Sequence, residues 1–335
     1  VPPALAEFTT LRLGGPAQRV AAASSTSELV DLVRSADAAG EPVLLVGGGS
    51  NLVVADAGWP GLVVLIRTSD IHAEASGAGV NVRADAGAVW DDLVAYTVQQ
   101  GWSGLAAMSG IPGLAGATPV QNVGAYGSEV ADVLTGLTVL DRQRGAAEKW
   151  TAAQCGFGFR TSAFKHTDRY VVLDVTFGLR NSTQAPPMRY GEVVRRLGIE
   201  SGGTASSKDV REVVLELRRS KGMVLDADDH DTWSVGSFFV NPFVAPDAVP
   251  PGCPHWVVDD EVKLSAAWLI ENAGYGKGYG GGNVSVSTKH SLALTNRGGA
   301  TTAELLELAR EIRAGVEQRF GVRLRPEAHL IGVDL

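Results

Sequence analysis

With 335 residues, 45% of them apolar and 20% charged, the chain has the composition of a soluble globular protein and length for two or three domains. A net charge of −8 without a long basic run argues against nucleic acid as a partner, so an anionic ligand would have to be met by local cations. The two cysteines, Cys155 and Cys253, lack metal-ligand spacing, which argues against a disulfide framework and a zinc scaffold; no metal site is expected. The start, Val1-Pro2-Pro3, carries no basic stretch followed by an apolar core. No secretory leader is therefore expected, although the missing initiator methionine leaves room for preceding residues, and a reducing cytoplasm is the expected compartment.

In chain order, Ser25 and Glu28 form a capping-box pattern ahead of Leu29, Leu32, Val33 and Ala36, and Gly40 ends the predicted helix. A short strand at 43–46, a tight glycine turn and a strand at 62–66 complete a βαβ-like unit. The alternation at 80–84 predicts a strand and 89–99 a helix. Beyond these, strands are predicted at 137–140 and 170–179, and Ala185-Pro186-Pro187 is the expected linker. Helices follow around Val210, Val213, Val214 and Leu217, over 266–272, and over 302–320. Gly321 stops the last of them, and 322–324 is expected as the final strand. The glycine run 274–282 is expected as a mobile surface loop.

The segment from Leu93 to Ser128 contains no charged residue. Pro112, Pro119 and repeated glycines make it unsuitable as a membrane-spanning helix, and no membrane association is expected. Within it, Ser109-Gly110-Ile111-Pro112 and Gly116-Ala117 remove side-chain bulk, so backbone can approach a large ligand closely. Gln121 and Asn122 add amide groups suited to the polar edge of a flavin, and Gly124-Ala125-Tyr126 continue the run. The competing reading is a buried loop that fills a core corner. Gly47-Gly48-Gly49-Ser50-Asn51 follows a strand, where anion-binding nests occur. It lacks the third glycine of the Rossmann fingerprint and the Lys of a phosphate-binding P-loop, and a simple tight turn explains it equally well.

Five motifs, 47–51, 109–127, Cys155-Gly156-Phe157-Gly158-Phe159-Arg160-Thr161-Ser162-Ala163-Phe164-Lys165, 236–242 and Arg325-Pro326-Glu327, occur in the order found in UDP-N-acetylenolpyruvoylglucosamine reductases. The chain resembles that family over nearly its whole length. The resemblance implies an α+β protein: an FAD-binding domain of the vanillyl-alcohol-oxidase/p-cresol-methylhydroxylase (PCMH) type over 1–184, with subdomains of about 1–68 and 69–184. A C-terminal α+β substrate-binding domain would span 185–324, and 325–335 would return to the active site. It further implies non-covalent FAD held by the two glycine-rich segments, NADPH as co-substrate, a UDP-sugar substrate and a place in bacterial peptidoglycan synthesis, with the roles in cell wall, cell shape and cell division that go with it. A monomer is expected.

On the same resemblance, Arg160 stabilises the substrate carboxylate, Glu327 is its acidic partner and Ser237 donates the proton. Tyr190 would fold over the diphosphate in the subclass that carries an insertion here, Lys221 would reach the same diphosphate, and Asn241 would lie beside the serine. The chain departs from many relatives after Lys221, with Gly222-Met223-Val224-Leu225-Asp226 in place of Leu-Pro-Asp-Pro. An FAD oxidase of the same fold class is the first alternative; many such oxidases tether flavin through His or Cys, and 109–127 offers neither. A non-catalytic flavin- or nucleotide-binding protein is the second, and it leaves the match of Arg160, Ser237 and Glu327 unexplained.

Overall fold

A computed structural model describes residues 2–335; Val1, on which the expectation of no leader partly rests, lies outside the described residues. The chain forms two compact units, and both are discontinuous in sequence.

The larger unit takes Arg19–Gly48 and Gly61–Arg219. Helix α1, Thr26–Ala39, starts where the Ser25 hydroxyl accepts the Glu28 N–H. The Glu28 carboxylate reaches back one residue beyond the cap, accepting the Ser24 N–H at 2.8 Å. Leu29, Val33 and Ala36 recur at helical spacing and are buried against Leu62 and Val64. Gly40 then adopts φ +66° and ends the helix. Strand Val43–Val46 runs parallel to Leu62–Leu65, in a three-stranded sheet with Ala17–Ala23 on the far side.

The second sheet of this unit is antiparallel, in the order Ala146–Thr151, Leu134–Asp141, Tyr170–Asn181, Gly79–Asp85, Ile71–Ser76. Ile71–Ser76 and Ala146–Thr151 are edge strands with mostly exposed residues, so they lack the apolar alternation that betrays a strand in sequence. Helix α2, Trp90–Gln99, buries Trp90, Leu93, Val94 and Thr97. Its Trp90 indole meets Phe177 edge to face at 5.7 Å and donates to the Met108 carbonyl at 3.0 Å.

Helices α3, Gly191–Leu197, and α4, Ser207–Ser220, also pack in the larger unit: Val193, Val210, Val214 and Leu217 bury against Ala106 and Ala107. Ala185 and Met188 join this cluster, and their N–H groups bond to the Ala205 and Gly203 carbonyls. The stretch around Pro186 and Pro187, expected as a linker, is thus stitched into the unit, and the units part further on, between Arg219 and Ser220.

The smaller unit comprises residues 2–18, Gly49–Pro60 and Ser220–Leu335. Helix α5, Ala266–Asn272, is capped by Ser265. Helix α6, Thr302–Phe320, is capped by a reciprocal Thr301–Glu304 pair and stopped by Gly321 at φ +68°. Leu305, Leu308, Ala309, Ile312 and Val316 bury one face of α6 against Leu269, Ile270, Phe238 and Phe239. The expected strand at 322–324 does not form. Val322 and Leu324 are instead buried in chain without regular secondary structure, and the last strand is His329–Ile331, parallel to Leu52–Val54. The 274–282 run is not simply an open loop, since Gly280–Gly281 pairs with Val284–Ser285.

Candidate active site

In the larger unit, the uncharged segment has little regular structure yet is fixed at many points. The Ala115 and Gly116 amides donate to the Ala88 and Ala86 carbonyls at 2.8 and 2.9 Å, and Trp90 N–H donates to Gly113. A Cβ on Gly116 would stand 2.4 Å from the Ala86 Cβ, so glycine is what lets this turn sit on its neighbour. Gly48 also packs tightly on this segment, since a Cβ there would lie 2.8 Å from the Gly113 Cα. Two glycine-rich backbones therefore abut without side chains between them. That is a cradle suited to the phosphates and ring edges of a dinucleotide, and the residues present fit FAD.

The candidate cofactor residues differ in exposure. Gly48 and Ala117 are exposed, and Gly47, Ile111, Pro112, Gln121, Gly124, Ala125 and Tyr126 are partly so. Ser109, Gly110, Gly116 and Asn122 are buried. The Ser109 hydroxyl donates to the Ala106 carbonyl at 2.7 Å, and the Gly110 N–H is taken by Asp91 at 2.6 Å. These four shape the segment from beneath. Gly49, Ser50 and Asn51 belong to the smaller unit, where Asn51 donates its side-chain amide to the Glu327 carbonyl at 3.3 Å and accepts the His329 N–H.

Arg160 lies in the larger unit with a left-handed backbone, φ +51°. Its guanidinium donates to the Asn122 and Gly124 carbonyls at 3.2 and 2.6 Å, which ties it directly to the uncharged segment. Tyr190, at the N-terminus of α3, meets Tyr126 edge to face at 5.2 Å. Behind them stands Arg218, almost wholly buried, whose guanidinium is held down by burial and pulled back by the hydrogen-bonded Tyr126 hydroxyl and by Asp91. Asp91 accepts from both terminal nitrogens of the Arg211 guanidinium, at 2.6 and 2.8 Å. Burial alone would raise its pKa, but the bonds from Arg211 and Gly110 bring it below the usual range. Asp91, Arg211 and Arg218 carry no signal in the sequence: each looks like an ordinary solvated helix charge, and only their packing makes them partners.

In the smaller unit, the segments that carry Ser237 and Glu327 pair with each other. Phe238 N–H donates to Leu292, the Glu327 N–H donates to the Phe238 carbonyl, Phe239 bridges Pro326, and Val240 N–H donates to Arg325. Two short segments thus run antiparallel, with Ser237 one residue from the Phe238–Glu327 bond. Asn241 continues this segment, and its side-chain oxygen caps α5 at the Ala266 N–H, 3.0 Å away.

Lys221 begins the stretch whose sequence departs from many relatives. That stretch is clamped further along, where Asp231 accepts Thr288 N–H and hydroxyl and the Arg297 guanidinium, and Lys289 meets Asp229. Burial would raise the Asp231 pKa, and the Thr288 bonds lead the groups that lower it instead. Among the described residues no cluster could hold a metal ion, and no helix is long and apolar enough to cross a membrane.

Residues 17–149 match the FAD binding domain family, and residues 228–331 match the UDP-N-acetylenolpyruvoylglucosamine reductase C-terminal domain. The UDP-N-acetylenolpyruvoylglucosamine reductase of Thermobifida fusca is 52% identical over 99% of this chain and 97% of its own length. That of Cutibacterium acnes is 50% identical over 99% of this chain and 90% of its own. A crystal structure of the Thermus caldophilus UDP-N-acetylenolpyruvylglucosamine reductase, 24% identical, superposes with a TM-score of 0.68 over 98% of this chain and 97% of that one, a likeness of fold. With the glycine cradle in one unit and the Ser237–Glu327 pairing in the other, these matches place the chain in the UDP-N-acetylenolpyruvoylglucosamine reductase family.

Proposed function

We propose that this chain reduces the enolpyruvyl ether of UDP-N-acetylglucosamine to UDP-N-acetylmuramate through FAD, with NADPH as electron donor, for peptidoglycan synthesis in the cytoplasm. Family membership favours this reading over the FAD oxidase of the same fold class. The observation that supports it is the antiparallel pairing of the two short segments that carry Ser237 and Glu327.

FAD, when bound, supplies a carrier that accepts hydride from the nicotinamide and returns it to the alkene. The residues that would hold it are the backbone of Gly47–Asn51 and of 109–117, with Gln121, Gly124, Ala125 and Tyr126 along the ring edge. Hydride arriving at the terminal alkene carbon drives negative charge into the attached carboxylate, and a preorganised cation lowers the barrier there. Arg160 takes that role, since its planar fork suits a carboxylate and two carbonyls already orient it. Glu327 works against the same carboxylate. The Ser237 hydroxyl gives its proton to the internal carbon; a serine is a weak acid, but an enediolate carbon is basic enough to take it. Tyr190 and Lys221 bind the nucleotide diphosphate, and Asn241 binds the substrate beside Ser237. Nicotinamide and substrate would take turns at the bound flavin, so ping-pong kinetics are expected.

Anaerobic spectroscopy tests the reading. NADPH should bleach the bound flavin, and the UDP-sugar should restore its colour. Colour restored only by oxygen would favour the oxidase, and no bleaching would favour a non-catalytic binding protein.

A further inference from the structure

Three non-glycine residues with left-handed backbone gather around one loop junction of the larger unit: Asn122 at φ +45°, Tyr126 at +53° and Arg160 at +51°. Residues that carry a Cβ rarely occupy this region, and asparagine tolerates it best. Asn122 is fully buried, and its amide spans the junction. Its Nδ2 donates to the Gly158 carbonyl at 3.2 Å, while its Oδ1 accepts the Ala131 N–H at 2.9 Å. The Asn122 carbonyl, in turn, accepts from the Arg160 guanidinium. One residue therefore grips the 158–160 turn by both main chain and side chain.

The other end of the turn is held by Lys165, whose ammonium donates to the Arg160 carbonyl at 2.7 Å. That bond satisfies the carbonyl of a residue whose backbone is in a sparsely populated region, which is how such conformations persist. It also brings a second positive charge close to Arg160, in keeping with a site that receives a carboxylate.

We propose that Asn122 and Lys165 are positioning residues for Arg160: they fix its left-handed backbone and the direction of its guanidinium, so that the arginine meets the substrate carboxylate already oriented. Asn122 then acts through Arg160 and not as a direct flavin donor. The proposal rests on the reading of the reaction given above.

Lys165→Met removes the ammonium and keeps most of the stem, Lys165→Arg keeps a charged donor, and Asn122→Gly keeps the left-handed backbone while deleting the amide. In stopped-flow half-reactions, Lys165→Met should keep its flavin and its NADPH bleaching rate within about twofold, while reoxidation by the UDP-sugar slows by about 10- to 100-fold, chiefly in kcat. Lys165→Arg should recover most of that loss. Wild-type reoxidation in Lys165→Met, parallel loss of both half-reactions, or failure of Lys165→Arg to recover would overturn the proposal. A substrate-free measurement separates this outcome from failure of the proposed reaction itself. Phenylglyoxal modification of Arg160, followed by peptide mass spectrometry, should speed up in both Lys165→Met and Asn122→Gly, and unchanged labelling would count against the tether.

Discussion

The Glu327 N–H donates to the Phe238 carbonyl at 2.8 Å, so the C-terminal Pro326-Glu327 turn and the Gly236-Ser237 turn form one structural piece. Both segments lean on the buried Phe238–Phe239 pair, whose rings meet at 5.0 Å. A short serine loop is thereby made rigid by the core beneath it.

If Ser237 delivers the proton, Ser237→Ala should leave flavin reduction by NADPH nearly unchanged while slowing reoxidation by the UDP-sugar about 10²- to 10⁴-fold. Stopped-flow absorbance of the flavin separates the two steps. Equal slowing of both would remove Ser237 from the proton-donor role.

Gly48→Ala places a methyl group 2.8 Å from the Gly113 Cα, where only backbone can yield. A loss of about 1–3 kcal/mol is expected for such overpacking. Because the clash lies in the glycine cradle, flavin content of the purified protein should fall while far-UV circular dichroism stays native. A fully flavinated Gly48→Ala protein would mean that the cradle is not where FAD binds.

Asp91→Asn breaks a paired carboxylate that joins α2, Gly110 and Arg211 of α4. The pair is about one-third exposed on the aspartate side, so the expected loss is about 1–2 kcal/mol, or roughly 2–8 °C in Tm for a unit of this size. As α4 packs with the segment carrying Tyr190, the KM for the UDP-sugar should rise more than the KM for NADPH. A stability loss with both KM values unchanged would confine Asp91 to a structural part.

Acid unfolding should report on Asp141, whose carboxyl the Arg169 guanidinium holds down at about 2, with help from the Gln143 and Arg144 N–H groups. A carboxylate with a lowered folded pKa stabilises the fold above its unfolded value of about 3.9, and that contribution disappears as pH falls toward 2. Wild type should therefore be more stable than Asp141→Asn at pH 6, with the two melting curves converging between about pH 4 and 2. A pH-independent gap between them would show that the charge is not what matters.

Burial pushes the Cys155 thiol up to about 11 and raises that of Cys253 as well, so both are protonated at neutral pH. Neither should react with a thiol reagent in the native protein at pH 7.5, and both should react after unfolding. Rapid native labelling of either would contradict the buried placement.

Most of the α-helices were legible because their signals are local; the short α3 was not. Ser25 with Gly40, and Thr301 with Gly321, each bracket an apolar face at helical spacing, and the observed bounds follow these marks. The edge strands 71–76 and 146–151 were not legible, since an exposed strand is held by backbone pairing that any side chain permits. Val322 and Leu324 read as a strand by their alternation, but among the described residues they join no sheet; the apolar side chains serve the core without a ladder.

The motif order by itself determined the family, the cofactor class and the residues to watch, because each motif carries glycines and polar groups that a particular backbone path requires. Tertiary structure alone decided that Glu327 pairs with Phe238, that Asp91 binds Arg211, and that Arg160 hangs from Asn122 and Gly124. Those contacts join segments far apart in the chain, and their geometry depends on how buried faces pack, which no local pattern encodes.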